Sequence, residues 1–161
     1  MSSPSFDELL IRLVDARVRF VVIGGLALGS WGVVRGTRDC DIVPDPEPEN
    51  LDRLARIAAE LGGHVLLADS LLGSERSIAA LLRDGERALI ATQLGDLDVV
   101  QRLEGVPPYA ELRAKAIEVK MANATIAICA LEHLRAMKRA AGRPRDLVDL
   151  EDLDAAQPDH P

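Results

Sequence analysis

The run RFVVI at 19–23 ends in Gly24-Gly25, and after a spacer over residues 26–38 the chain reads Asp39-Cys40-Asp41. No other feature limits the possible folds as much. A short apolar run closed by glycines predicts a buried strand that turns directly into a helix. DCDIV at 39–43 predicts a second short strand. Side chains alternate along a strand, so Asp39 and Asp41 fall on one face. Two carboxylates ~4 Å apart repel by roughly 4 kcal/mol at an effective dielectric of about 20. A solvated strand edge carrying protective charges would tolerate them. A hard divalent cation would draw them together.

A third acid sits in an unexpected place. Asp98 lies in LDVV, with apolar neighbours on both sides. A charge within a buried-strand pattern needs a partner. Pairing with an arginine is one answer. The other holds if this strand neighbours the Asp39–Asp41 strand, because Asp98 then completes a cluster of three carboxylates. Such a cluster suits one or two Mg²⁺ ions, which take a few carboxylates and fill their remaining positions with water and phosphate. Asp96, two residues earlier, reads as a turn residue. The Gly24-Gly25 turn is either a tight structural bend or a set of backbone N–H groups open to an anion. A dinucleotide fingerprint needs glycine at position 26, where Leu26 stands, and no GK[ST] sequence exists for a P-loop.

Other patterns order the rest of the chain. Helices are expected over 5–16, 25–34, 51–63, 107–116, 130–142 and 145–153. A strand is expected at 37–43, a strand pair over 86–103 joined at 94–96, and a hairpin over 117–129 turning near Ala122-Asn123. Residues 64–85 read only as a short strand, a loop and a helix around SERSIAALL. Gly25, Gly29 and Gly32 along the second helix suggest close backbone packing. The tail 154–161 is expected to be disordered. The result is a single α/β (α+β) domain over 1–161, a small mixed sheet with helices packed on it.

Composition narrows the function. At 161 residues, with 48% apolar and 28% charged side chains, the chain suits one globular domain with a real core. No apolar stretch is long enough to span a membrane, and the opening MSSPSFDELL has no secretion pattern. Two cysteines, Cys40 and Cys129, fit a reducing cytoplasm. A net charge of −7 argues against coating nucleic acid. Phe6, Phe20, Trp31 and Tyr109 are too few for a base-stacking platform. Positive charge collects locally at Arg135, Lys138, Arg139, Arg143 and Arg145. Lys138 reads either as part of a solvated helix face or as a contact for phosphate or acceptor. Arg35 and Arg38 read as surface charges, as neutralisers of the aspartates or as phosphate ligands.

Gly24-Gly25, the spacer, Asp39-x-Asp41 and the later strand Asp98 together resemble the polymerase-β-like nucleotidyltransferase superfamily. The sequence Arg35-x-Thr37-x-Asp39-x-Asp41 narrows this, as does Met137-Lys138-Arg139 followed by GRPRDLVDLEDL at 142–153. With them the chain resembles small bacterial nucleotidyltransferases related to AbiEii-type toxins of toxin–antitoxin systems. The resemblance covers most of residues 19–153 and implies a palm-like core with an extra C-terminal hairpin and helices. It implies that Asp39 and Asp41 bind Mg²⁺ (with Mn²⁺ as a substitute) and the nucleotide phosphates. Asp98 would bind the catalytic metal and help deprotonate the attacking hydroxyl. Gly24 and Gly25 would hold phosphates, with Arg35, Thr37 and Lys138 completing the nucleotide site. The implied reaction moves a nucleotidyl group from an NTP to a hydroxyl on RNA, tRNA included, or on protein. A cognate antitoxin or toxin chain is the implied partner. The rival expectation is a non-catalytic member of the fold that binds nucleotide or a partner and acts as antitoxin or regulator. Cys40 stands where that family usually has an aliphatic residue, and reads as packing.

Overall fold

The computed structural model describes residues 3–67, 70–72 and 75–160. Part of the loop expected within 64–85 lies outside these residues, as do Ser74 and the chain's last residue. The elements run α1 (Phe6–Asp15), β1 (Phe20–Ile23), α2 (Gly24–Ser30), β2 (Asp39–Pro44), α3 (Pro48–Glu60), β3 (His64–Leu67), β4 (Ser70–Leu72) and α4 (Glu75–Arg83). Then follow β5 (Ala88–Thr92), β6 (Gly95–Val99), α5 (Tyr109–Lys115), β7 (Ile117–Met121), β8 (Ala124–Ile128), α6 (Leu131–Ala141) and α7 (Pro144–Ala156). Among the described residues one mixed sheet holds eight strands in the order β4-β3-β5-β6-β2-β1-β8-β7.

The strands that matter most lie in the middle. All four residues of β1 are buried, as its unbroken apolar run requires of a strand covered on both faces. It pairs antiparallel with β2 and parallel with β8. β2 pairs parallel with β6, which turns back antiparallel onto β5. The expected strand pair over 86–103 is therefore β5 and β6. Gly95, at φ +126, makes their turn possible. The hairpin β7–β8 turns at Ala122-Asn123, as its sequence predicts. Leu9, Leu13, Val21, Ile42, Leu54, Ile90 and Leu97 are among the fully buried side chains that tie the helices to the sheet. Cys40 is fully buried among them, so its thiol is core packing.

Several boundaries differ from the sequence reading. α2 stops at Ser30, before Gly32 at φ +92 takes the chain out of the helix. Gly29 has open space where a Cβ would stand, so close packing does not explain it. α3 begins early, with Pro48 in its first turn, where a missing N–H costs nothing. Fully buried Asn50 then locks the turn before it. Its side-chain amide donates to the carbonyls of Arg19 and Asp45 at 3.0 and 2.8 Å and accepts from the Arg19 N–H at 2.7 Å. The tail does not fray from Asp154. α7 continues to Ala156, the Gln157 amide donates to the Trp31 carbonyl at 2.9 Å, and Arg135 donates to the His160 carbonyl.

Candidate active site

The sheet order brings the three aspartates together. Because β2 and β6 are parallel neighbours, Asp41 stands opposite Asp98 and Asp39 opposite Asp96. One carboxylate oxygen from each of Asp39, Asp41 and Asp98 lies within 4.8 Å of the others. Asp96 belongs to β6 and not to the turn, and its charge adds to the field on Asp39. Burial, followed by Asp98 and Asp39, pushes the Asp41 carboxyl up to about 7. Burial also raises Asp39, with Asp98 and Asp96 adding to it. Three oxygen-donor carboxylates held this close, two of them resisting ionisation, fit a hard divalent cation.

The two glycines are dictated by the neighbours of their backbone. Gly24 has φ +67, and a Cβ there would fall 2.2 Å from Asp41 Oδ2. A Cβ on Gly25 would fall 2.6 Å from Thr37 Oγ1, which donates to the Asp39 carbonyl at 3.0 Å. The pair thus lets the end of β1 lie directly against the acid-bearing strand, and Thr37 fixes the backbone of Asp39 from the other side.

A cleft of about 490 Å³ opens over this cluster, within the size range of small-ligand sites. The residues expected to bind metal or nucleotide line it: Gly24, Gly25, Arg35, Thr37, Asp39, Asp41, Asp98 and Lys138. Arg38, Arg87, Arg143, Arg145 and Asp146 line it too. Six cationic side chains therefore face four carboxylates, and the cleft is locally basic despite the chain's net charge of −7. Val100, Leu103, Val106, Leu134 and Met137 add apolar surface to its lining. Val100 and Val106 also border a second, more apolar cavity of about 340 Å³ beside Pro107, Pro108 and Tyr109.

Two of the expected cations are already engaged. Arg35 forks Asp149 through Nε and Nη2, at 2.8 and 2.9 Å. Lys138 does not lie on a solvated helix face. It is 6% exposed and holds Asp149 at 2.8 Å and Asp146 at 3.3 Å. Arg143 donates to Asp146 through Nε at 2.7 Å, and Asp146 accepts the Arg143 N–H at 3.1 Å, capping α7. Burial works against both carboxylates, but these hydrogen bonds outweigh it. Asp149 is held below its ordinary range by Lys138 and Arg35, and Asp146 by Arg143 and Lys138. The network ties the loop before β2 to α6 and α7.

The sequence reading missed Arg87. It donates to Asp98 Oδ1 through Nε at 3.0 Å and to Oδ2 through Nη2 at 2.5 Å. In the fold Asp98 thus both pairs with an arginine and stands within the three-carboxylate cluster. Nothing in the sequence singles out Arg87, because its partner lies across a strand pair. The aspartates of GRPRDLVDLEDL were visible as a motif, but their role in holding Lys138 was not.

No protein-family model and no curated protein matches this sequence. The fold does match solved structures. The antibiotic-resistance factor ANT(2'')-Ia is 16% identical with a TM-score of 0.59, over 94% of this chain and 83% of that one. It has also been solved in complex with adenylyl-2''-tobramycin. A candidate nucleotidyltransferase from Thermotoga maritima is 19% identical with a TM-score of 0.58, over 94% of this chain and 93% of that one. An antigenic nucleotidyltransferase-like protein from Paracoccidioides brasiliensis is 17% identical with a TM-score of 0.62, over 94% and 73%. The chain thus has the α/β fold of nucleotidyltransferases. Among its described residues no helix is long and apolar enough to cross a membrane.

Proposed function

We propose that this chain is a divalent-metal-dependent nucleotidyltransferase, moving a nucleotidyl group from an NTP to a hydroxyl on RNA or protein with release of pyrophosphate. The observation that carries this reading is the cluster of Asp39, Asp41 and Asp98 on adjacent parallel strands, beside the Gly24-Gly25 turn. Asp39, Asp41 and Asp98 would hold Mg²⁺, or Mn²⁺ in its place. When bound, such an ion supplies charge stabilisation to the phosphoryl oxygens and lowers the pKa of a coordinated hydroxyl.

The chain's own residues do the rest. As ligands of the ion, Asp39 and Asp41 would set where the reacting phosphate sits, and Asp98 would accept the proton of the attacking hydroxyl as the pyrophosphate leaves. The backbone of Gly24 and Gly25 lies at the cleft wall, where it meets a triphosphate. Arg145 and Arg38, which also line the cleft, add positive charge that favours a triphosphate there. Arg35 and Lys138 act on the nucleotide through the network they brace, and Thr37 acts through the Asp39 backbone. Resemblance of the Gly-Gly, Asp-x-Asp and C-terminal motifs to AbiEii-type toxins supports a place in a bacterial toxin–antitoxin pair acting in the cytoplasm, with a cognate chain as partner.

The test is to incubate the protein with each labelled NTP, Mg²⁺ and total RNA or protein, with Asp39→Ala and Asp98→Ala alongside. Transfer by the wild type and a loss of at least about 10²-fold in both variants is the expected outcome. Label transfer that survives both substitutions would falsify the mechanism. Tight Mg·NTP binding without transfer would favour the non-catalytic nucleotide-binding alternative.

A further inference from the structure

We propose that Arg87 is the built-in counter-ion of the carboxylate cluster, competing with a divalent cation for Asp98 and giving way when the cation binds. This rests on reading the cluster as a cation site. The Asp98 side chain is only 5% exposed, and a buried carboxylate without a partner is strongly destabilising. Arg87 meets that need by engaging both oxygens, at 3.0 and 2.5 Å.

Its position makes the contact reversible. Arg87 immediately precedes β5, whose Leu89 is the register partner of Asp98, so the guanidinium reaches across the strand pair to the acid. Its side chain is 51% exposed and can swing into the cleft without opening the core. The other paired arginines of the cleft are held elsewhere: Arg35 by Asp149 and Arg143 by Asp146. Among the described ion pairs of the cleft, only that of Arg87 uses a member of the cluster. A cation bound to Asp98 would stand within a few ångströms of the guanidinium, and two positive groups on one carboxylate repel. The site can therefore stay folded and partly neutralised with no cation bound, at the expense of cation affinity.

The test is Mn²⁺ titration of the nucleotide-free protein, followed by electron paramagnetic resonance of the free ion, for wild type, Arg87→Ala and Arg87→Gln. Thermal denaturation without metal accompanies it. Both variants are expected to bind Mn²⁺ more tightly, on the order of tenfold, and to melt lower than wild type without metal. Arg87→Gln keeps a hydrogen-bonding group on Asp98 and carries the test if Arg87→Ala does not fold. Unchanged or weaker Mn²⁺ binding overturns the proposal, and weaker binding would make Arg87 a clamp that holds Asp98 for the cation. If neither wild type nor variants bind Mn²⁺, the cation-site reading fails and takes this proposal with it. Binding unaffected by Arg87 overturns this proposal alone.

Discussion

Lys138 shows how far one residue's surroundings can depart from its local sequence. Spacing along α6 allows it to be a surface lysine, yet it is buried between Asp146 and Asp149. Breaking a buried ion pair by removing one partner usually costs 3–5 kcal/mol because the other charge is left uncompensated. Lys138→Met is expected to cost about 3 kcal/mol, the low end of that range, since Arg35 still holds Asp149 and Arg143 still holds Asp146. The urea midpoint measures this. A midpoint within error of wild type would mean that the network contributes nothing to the fold. The aspartates differ in kind from Lys138. Their alternation on β2 is a local property and was readable. Gly24 was readable as a turn, but its need to lie against Asp41 Oδ2 depends on the pairing of β1 with β2.

At the scale of elements, α7 and its tail brace the site from behind. Arg135 of α6 is 5% exposed, with Nη2 2.9 Å from Asp154 Oδ1 and a further contact to the His160 carbonyl. Gln157 ties the same segment to Trp31 at the end of α2, and the Trp31 indole donates to the Cys129 carbonyl at 3.0 Å. Deleting residues 154–161 removes the Asp154, Gln157 and His160 contacts together. The expected loss is about 1–3 kcal/mol, as for a buried charged group deprived of hydrogen bonds, read as a lower urea midpoint. A tail that truly frayed would leave the midpoint unchanged. The tail's sequence, polar and acidic after Leu153, looks disordered because its partners lie on α2 and α6. Helix α6 and the β7–β8 hairpin were legible, since their patterns and turn residues act locally. The end of α2 was not, because Gly32 leaves the helix where the spacer must turn toward β2.

Over the whole molecule, the clustered acids link the site to stability. The folded Asp41 carboxyl, raised to about 7 from an ordinary 3.8, retains a proton that the unfolded chain releases. That contribution to metal-free stability is fully present below about pH 4 and is lost as pH rises through about 7. Cation binding runs the other way, because a cation needs the ionised form. The melting temperature should be followed from about pH 5 to about pH 8, with and without Mg²⁺, and the Mg²⁺-dependent increment should grow with pH. An increment that is flat in pH would argue against Asp41 as a ligand. By itself the sequence determined the strand-to-helix turn at Gly24-Gly25, the shared face of Asp39 and Asp41 and the anomaly of Asp98. Each depends on alternation or turn chemistry within a few residues. Only the tertiary structure decided that β6 lies parallel beside β2, that Arg87, just before β5, reaches Asp98, and that Lys138 is buried between two aspartates. Those are long-range pairings, set by which strands and helices pack together, and no local pattern in the chain encodes them.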